Sequence, residues 1–219
     1  MAGHRKQSNG EPVVVGVADH NGWAVLVSAA AVNGVPTVVD RRRASLIEKG
    51  VPSQPYHHET LALTDTAAEQ LLRRVNRSIA ACTARAFDRL SADLWPRYRV
   101  SSITIRVPPL PHLPATVAEV HRSYYATCRA DGMLYHSAIC AAARQRGWEP
   151  VFHRRGEELA HAADALQAGT RDVERFMSDL RKTLRAPWTA EHRLAFAAAI
   201  AGLKTASSLG ALRTEGPAS

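Results

Sequence analysis

Val13-Val14-Val15-Gly16-Val17-Ala18-Asp19-His20-Asn21-Gly22-Trp23 and its continuation to Arg43 decide the fold. Val13 to Ala18 is short, apolar and β-branched, the composition of a buried strand. Asp19 and His20 close it. Asn21-Gly22 is a two-residue hairpin signal. Trp23 to Val32 returns as a second strand, and Asn33-Gly34 is a second turn of the same kind. Val35 to Asp40 forms a third strand, ending in Arg41-Arg42-Arg43. Three strands joined by two tight turns make an antiparallel meander.

Downstream, the pattern changes to helices punctuated by single strands. Gly50 to Glu59 reads as a loop carrying Pro52, Pro55 and His57-His58-Glu59. Thr64 caps a long helix, Asp65 to Leu94, whose apolar positions Leu71, Leu72, Val75, Ile79, Cys82, Ala86 and Leu90 recur at helical spacing. Val100 to Val107 reads as a fourth strand, followed by a proline-rich loop to Pro114. Thr116 to Arg129 and Gly132 to Gln145 read as two helices, and Trp148 to His153 as a fifth strand. Helices follow at Glu157 to Gln167, Thr170 to Leu184 and, after Pro187, Ala190 to Leu203. Helical crossovers make the fourth and fifth strands parallel to the first. The fold class is α/β: a mixed five-stranded sheet with helices on both faces.

The chain has 219 residues, of which 46% are hydrophobic and 6% aromatic, enough for one core built on aliphatic side chains. One domain is expected over 12–204, with a disordered N-terminus at 1–11 and a flexible tail at 205–219. Lys plus Arg number 28 against 20 acids, a formal +8, which permits a polyanion partner or a merely solvated basic surface. Cys82, Cys128 and Cys140 are isolated, so a reduced cytoplasmic protein with buried thiols is expected and a structural zinc site is not. No apolar stretch reaches membrane-spanning length, and Met1 to Glu11 lacks a secretion-signal core. No Walker loop, Gly-x-Gly-x-x-Gly, Gly-x-Ser-x-Gly or His-Glu-x-x-His is present, which removes most nucleotide-binding and hydrolase classes.

The element order, with Asp19 ending the first strand and Glu191 opening the last helix, resembles the ribonuclease H-like superfamily. The Pro187-Trp188 break before Glu191 resembles its Holliday-junction resolvase and transposase branch. The segments 19–24 (Asp-His-Asn-Gly-Trp-Ala), 56–59 (Tyr-His-His-Glu) and 131–135 (Asp-Gly-Met-Leu-Tyr) are also similar to those of a bacterial family with no assigned activity.

The resemblance implies a divalent-metal-dependent nuclease in which two cations, Mg²⁺ or Mn²⁺, bridge the scissile phosphate between converging carboxylates. Asp19, Glu59 and Glu191 are then the metal ligands and catalytic acids, with His192 or His58 assisting proton transfer. Arg41, Arg42, Arg43 and Arg106 are candidate contacts to nucleic acid. A homodimer is compatible with this reading.

The fourth strand departs from the pattern, because Arg106 stands where the superfamily usually carries an acid. The reading it favours is a buried ion pair between Arg106 and Asp19, since an unpaired charge at a strand end is costly. The alternative to an enzyme is therefore an inactive binding or assembly module. Each candidate also has a structural explanation. Asp19 suits a turn, Glu191 suits the positive end of a helix, and Arg41 to Arg43 suit a charged edge strand. Tyr124, Tyr125 and Tyr135, with Arg122 and Arg129, suit a helix–helix seam or a stacking surface for single strands.

Overall fold

A computed structural model describes residues 10–214, and side chains of the last helix as far as Leu203. The sheet is built from β1 (Glu11–His20), β2 (Trp23–Val32), β3 (Val35–Ser45), β4 (Tyr98–Arg106) and β5 (Glu149–His153). Its order is β3-β2-β1-β4-β5, antiparallel in the first three strands and parallel across β1, β4 and β5. The helices are α1 (Asp65–Leu94), α2 (Val117–His121), α3 (Tyr124–Gln145), α4 (Glu158–Leu166), α5 (Thr170–Thr183) and α6 (Ala190–Thr214). This is the mixed five-stranded architecture expected from the sequence.

Alternation along the strands divides the core in two. Val13, Val15, Val17, Leu26 and Ile103 face α1, α2 and α3, together with Ile79, Phe87, Tyr135 and Ile139. Val14, Val25, Val27 and Ala29 face α4, α5 and α6, with Phe196 and Ile200. The second layer is packed on small residues. A Cβ on Gly16 would lie 1.7 Å from the Ala195 carbonyl oxygen, so α6 meets β1 backbone to backbone there.

The turns behave as their sequences require. Asn33 (φ 50°) and Gly34 (φ 78°) both adopt left-handed backbone, and the β2–β3 register closes on Val32 opposite Val35. Thr64 caps α1, its hydroxyl accepting from the Ala67 N–H at 3.4 Å.

Several boundaries differ from the sequence reading. β3 runs through Arg41-Arg42-Arg43 to Ser45, because β2 extends back to Trp23 and offers those residues ladder partners. Gly132 does not start a helix. It lies inside α3, where apolar positions Ala126, Ala130 and Leu134 carry the helix past it. Cys128 is exposed, whereas Cys82 and Cys140 are buried as expected. Of the expected tails, residues 1–9 and 215–219 lie outside the described residues, while β1 already begins at Glu11 and α6 continues past Leu203 to Thr214. Among the described residues no helix is long and apolar enough to cross a membrane.

Candidate functional site at the strand ends

The parallel strands β1, β4 and β5 end on one rim of the sheet. Ligands of open α/β sheets gather outside such carboxyl ends. Asp19 and His20 close β1 there, and His20 pairs in register with Trp23 across the Asn21-Gly22 turn. The His20 and Trp23 rings stack at 4.0 Å between centroids and 11° between planes, and the Arg43 guanidinium lies 4.2 Å over the Trp23 ring.

Charges from both sides of the rim act on His20. Burial lowers its pKa below the ordinary imidazole value. The Asp19 and Glu191 carboxylates oppose this, while Arg106 and Arg43 reinforce it. The acid of the first strand and the acid of the last helix thus both act on one imidazole, a residue that the sequence reading did not single out for a role. A hydrogen bond from the Thr189 hydroxyl, then the helix-start backbone N–H and the nearby His20 and His192, hold the Glu191 carboxyl below its ordinary pKa. His192 is turned inward and 4% exposed. Its Nδ1 accepts from the Thr189 N–H at 3.3 Å and lies 2.8 Å from the Thr189 hydroxyl. Burial lowers its pKa, with Arg41 adding to the effect.

The three segments singled out in the sequence meet at this rim. Asp131, on α3, is buried and accepts hydrogen bonds from the Tyr56 N–H (2.9 Å) and the His57 N–H (3.2 Å). Tyr135, one turn further along α3, donates its hydroxyl to the Ser53 carbonyl at 3.0 Å. Gly132 faces the β1–β2 turn closely enough that a Cβ there would lie 3.9 Å from the Asn21 side-chain oxygen. Asp131 therefore pins the loop carrying His57, His58 and Glu59 to α3. Burial raises the Asp131 pKa, the two backbone N–H groups oppose that, and Glu59 adds like-charge repulsion.

Two expectations are corrected. Arg106 does not pair with Asp19: its Nε donates to the Glu158 carboxylate on α4 at 3.3 Å. Glu158 is 2% exposed, accepts from the Gly156 N–H at 2.8 Å, and lies 3.6 Å from His153 Nδ1. A carboxylate so deeply buried demands a cationic partner, and Arg106 supplies it. Nor do Asp19, Glu59 and Glu191 assemble as ligands. Glu59 is exposed in a short 3₁₀ turn, Glu59–Ala62, and His58 beside it is exposed and near Gln54 (3.2 Å). Among the described residues no group of three His, Cys, Asp or Glu side chains is arranged to hold a metal ion. With the Arg106 charge added, the donor set does not fit a two-cation centre.

Other candidates divide. Arg42 is forked onto Asp40 (2.8 and 2.7 Å) and also reaches Asp93 at 2.9 Å, so it is a structural cation. Arg41 donates to the Pro187 carbonyl at 3.1 Å and to that of Arg185. The tyrosines also separate. Tyr135 is buried, whereas Tyr124 and Tyr125 are exposed and Arg129 sits 3.6 Å over the Tyr125 ring. Sequence reasoning missed Asp131 and Glu158 as individual residues. The 131–135 segment carried the only signal for the first. The second reads as an ordinary acid in the first turn of a helix.

No family model and no curated protein matches the chain. Among solved structures it is similar to a Thermus thermophilus RuvC structure, at 14% identity and TM-score 0.49, covering 90% of this chain and 96% of that one. It is also similar to T. thermophilus RuvC in complex with a Holliday junction substrate, at 14% identity and TM-score 0.46, covering 90% and 95%.

Proposed function

We propose that this chain is a nucleic-acid-binding, ribonuclease H-like protein whose strand-end rim acts on a phosphodiester as an atypical nuclease site. The observation that carries this reading is the placement of Asp19 and His20 at the carboxyl end of β1, beside Arg106 closing the parallel strand β4, with Glu191 in the first turn of α6 near enough to act on the imidazole. A phosphate needs a cation opposite it, and a guanidinium offers planar donors matched to its oxygens. The Nε of Arg106 is engaged by Glu158, and its terminal nitrogens make no hydrogen bond among the described residues. Burial favours neutral His20, the form that accepts a proton. In hydrolysis, water oxygen bonds to phosphorus as one P–O ester bond breaks. His20 takes the water proton, Arg106 balances the charge on the phosphoryl oxygens, and the leaving oxygen is protonated from solvent. Asp19 and Glu191 support the imidazolium that forms.

The test is binding and cleavage of labelled single strand, duplex and four-way junction, with EDTA, Mg²⁺ or Mn²⁺. His20→Ala is expected to abolish cleavage while leaving the melting temperature and binding intact. No binding to any of the three at low salt sinks the proposal. Mg²⁺ or Mn²⁺ is expected to leave the melting temperature unchanged. A cation-dependent rise that Asp19→Asn or Glu191→Gln removes would restore the two-metal reading, because binding to the native state raises its stability.

A further inference from the structure

A cationic groove adjoins the rim on the side of the last two helices. Its volume is 430 Å³, and it runs between the last turn of α5 and the first turn of α6, lined by Arg181, Lys182, Trp188, Thr189 and Arg193. Among the described residues no acid lines it. Arg181 and Arg193 are exposed and make no ion pair among the described residues, whereas Lys182 is held by Asp179 at 2.7 Å. Arg41 straps the connector between the helices through its carbonyls and so keeps its charge uncompensated by any carboxylate among the described residues. Glu174 flanks Arg193 from a neighbouring hollow. The groove meets the rim at Thr189, which lines it and whose hydroxyl lies 2.8 Å from His192 Nδ1. Ala190 lines it one residue before Glu191, and Arg41 acts electrostatically on His192.

We propose that this groove holds the sugar-phosphate backbone of nucleic acid where it leaves the strand-end site, an inference that rests on the functional reading above. The contact is to phosphates and not to bases. Trp188 is held in place and not splayed into the groove as a stacking platform: its indole N–H donates to the Met177 carbonyl at 3.3 Å, and its ring packs against Phe196 (6.0 Å) and His192 (6.1 Å). Backbone contacts of this kind bind without sequence preference and depend strongly on salt.

The experiment measures fluorescence anisotropy of two duplexes of unrelated sequence over a series of NaCl concentrations. The double variant Arg181→Glu/Arg193→Glu is expected to bind both duplexes at least tenfold more weakly. Its plot of log affinity against log salt should be shallower by about 0.9 for each phosphate that the variant no longer neutralises. Arg181→Lys/Arg193→Lys should retain binding. The control Lys49→Glu/Arg89→Glu removes the same charge from exposed positions beside β3 and α1, and should weaken binding far less. Equal weakening by both Glu pairs, or an unchanged slope in the groove variant, overturns the inference. Absence of binding by the unaltered protein overturns the functional reading instead. All variants fold normally if their melting temperatures match, since all four positions are exposed.

Discussion

At Asp131 a buried carboxylate faces two backbone N–H groups that have no other partner among the described residues. Asp131→Ala strands both, and should cost about 1–3 kcal/mol in a chemical denaturation measurement. It should also speed proteolysis between residues 50 and 62, because the tie between that loop and α3 is cut. At His20, His153 and His192 burial outweighs the nearby carboxylates. Burial is the largest influence on each, and it depresses each folded pKa below 6.5. Between the folded and unfolded pKa the unfolded chain binds more protons, so stability rises with pH there. The melting temperature should hold above the unfolded histidine pKa and fall as the pH drops below it. A flat profile from pH 7 to 5 would contradict their burial. At this scale the sequence was legible where position alone carries meaning, as at Asp19 near the end of a strand and Glu191 at a helix start. The partner of Arg106 was not legible, since Glu158 lies 52 residues away and only the packing of α4 brings it in.

Elements were readable where their signals are local. Two hairpin turns, a capping threonine and a helical apolar stripe specify β1 to β3 and α1 from neighbouring residues alone. Gly132 misled because glycine usually marks a break. Here its missing side chain serves close approach to the Asn21 turn and Pro109, and the helix passes through it. Gly16 is tighter still. Gly16→Ala would drive a methyl into the α6 backbone, and is expected to cost about 3 kcal/mol through overpacking. Urea unfolding measures this, and a loss under about 1 kcal/mol would mean that α6 is not seated as described.

For the whole molecule, β1 is the middle strand, bonded on one side to β2 nearby in the chain and on the other to distant β4. Its amides should be among the slowest to exchange with solvent, and those of edge strand β3 faster, in a hydrogen-exchange experiment. Net charge of +8 permitted a polyanion partner or a merely solvated basic surface. It did not show where the charge collects, because Arg42 and Arg146 are spent on internal carboxylates. Only the fold reveals which cations remain available. It also reveals why three short segments far apart in the chain belong together: each ends or begins at the same rim.

The contact between Gly16 and Ala195 has one more consequence. Asp19 lies three residues beyond the first and Glu191 about one helical turn before the second. Main chain touching main chain therefore acts as a gauge block between the two acids, with no flexible side chain in the dimension. Replacing residues 19, 20, 191 or 192 would exchange the tool and leave the vice jaws at the same opening.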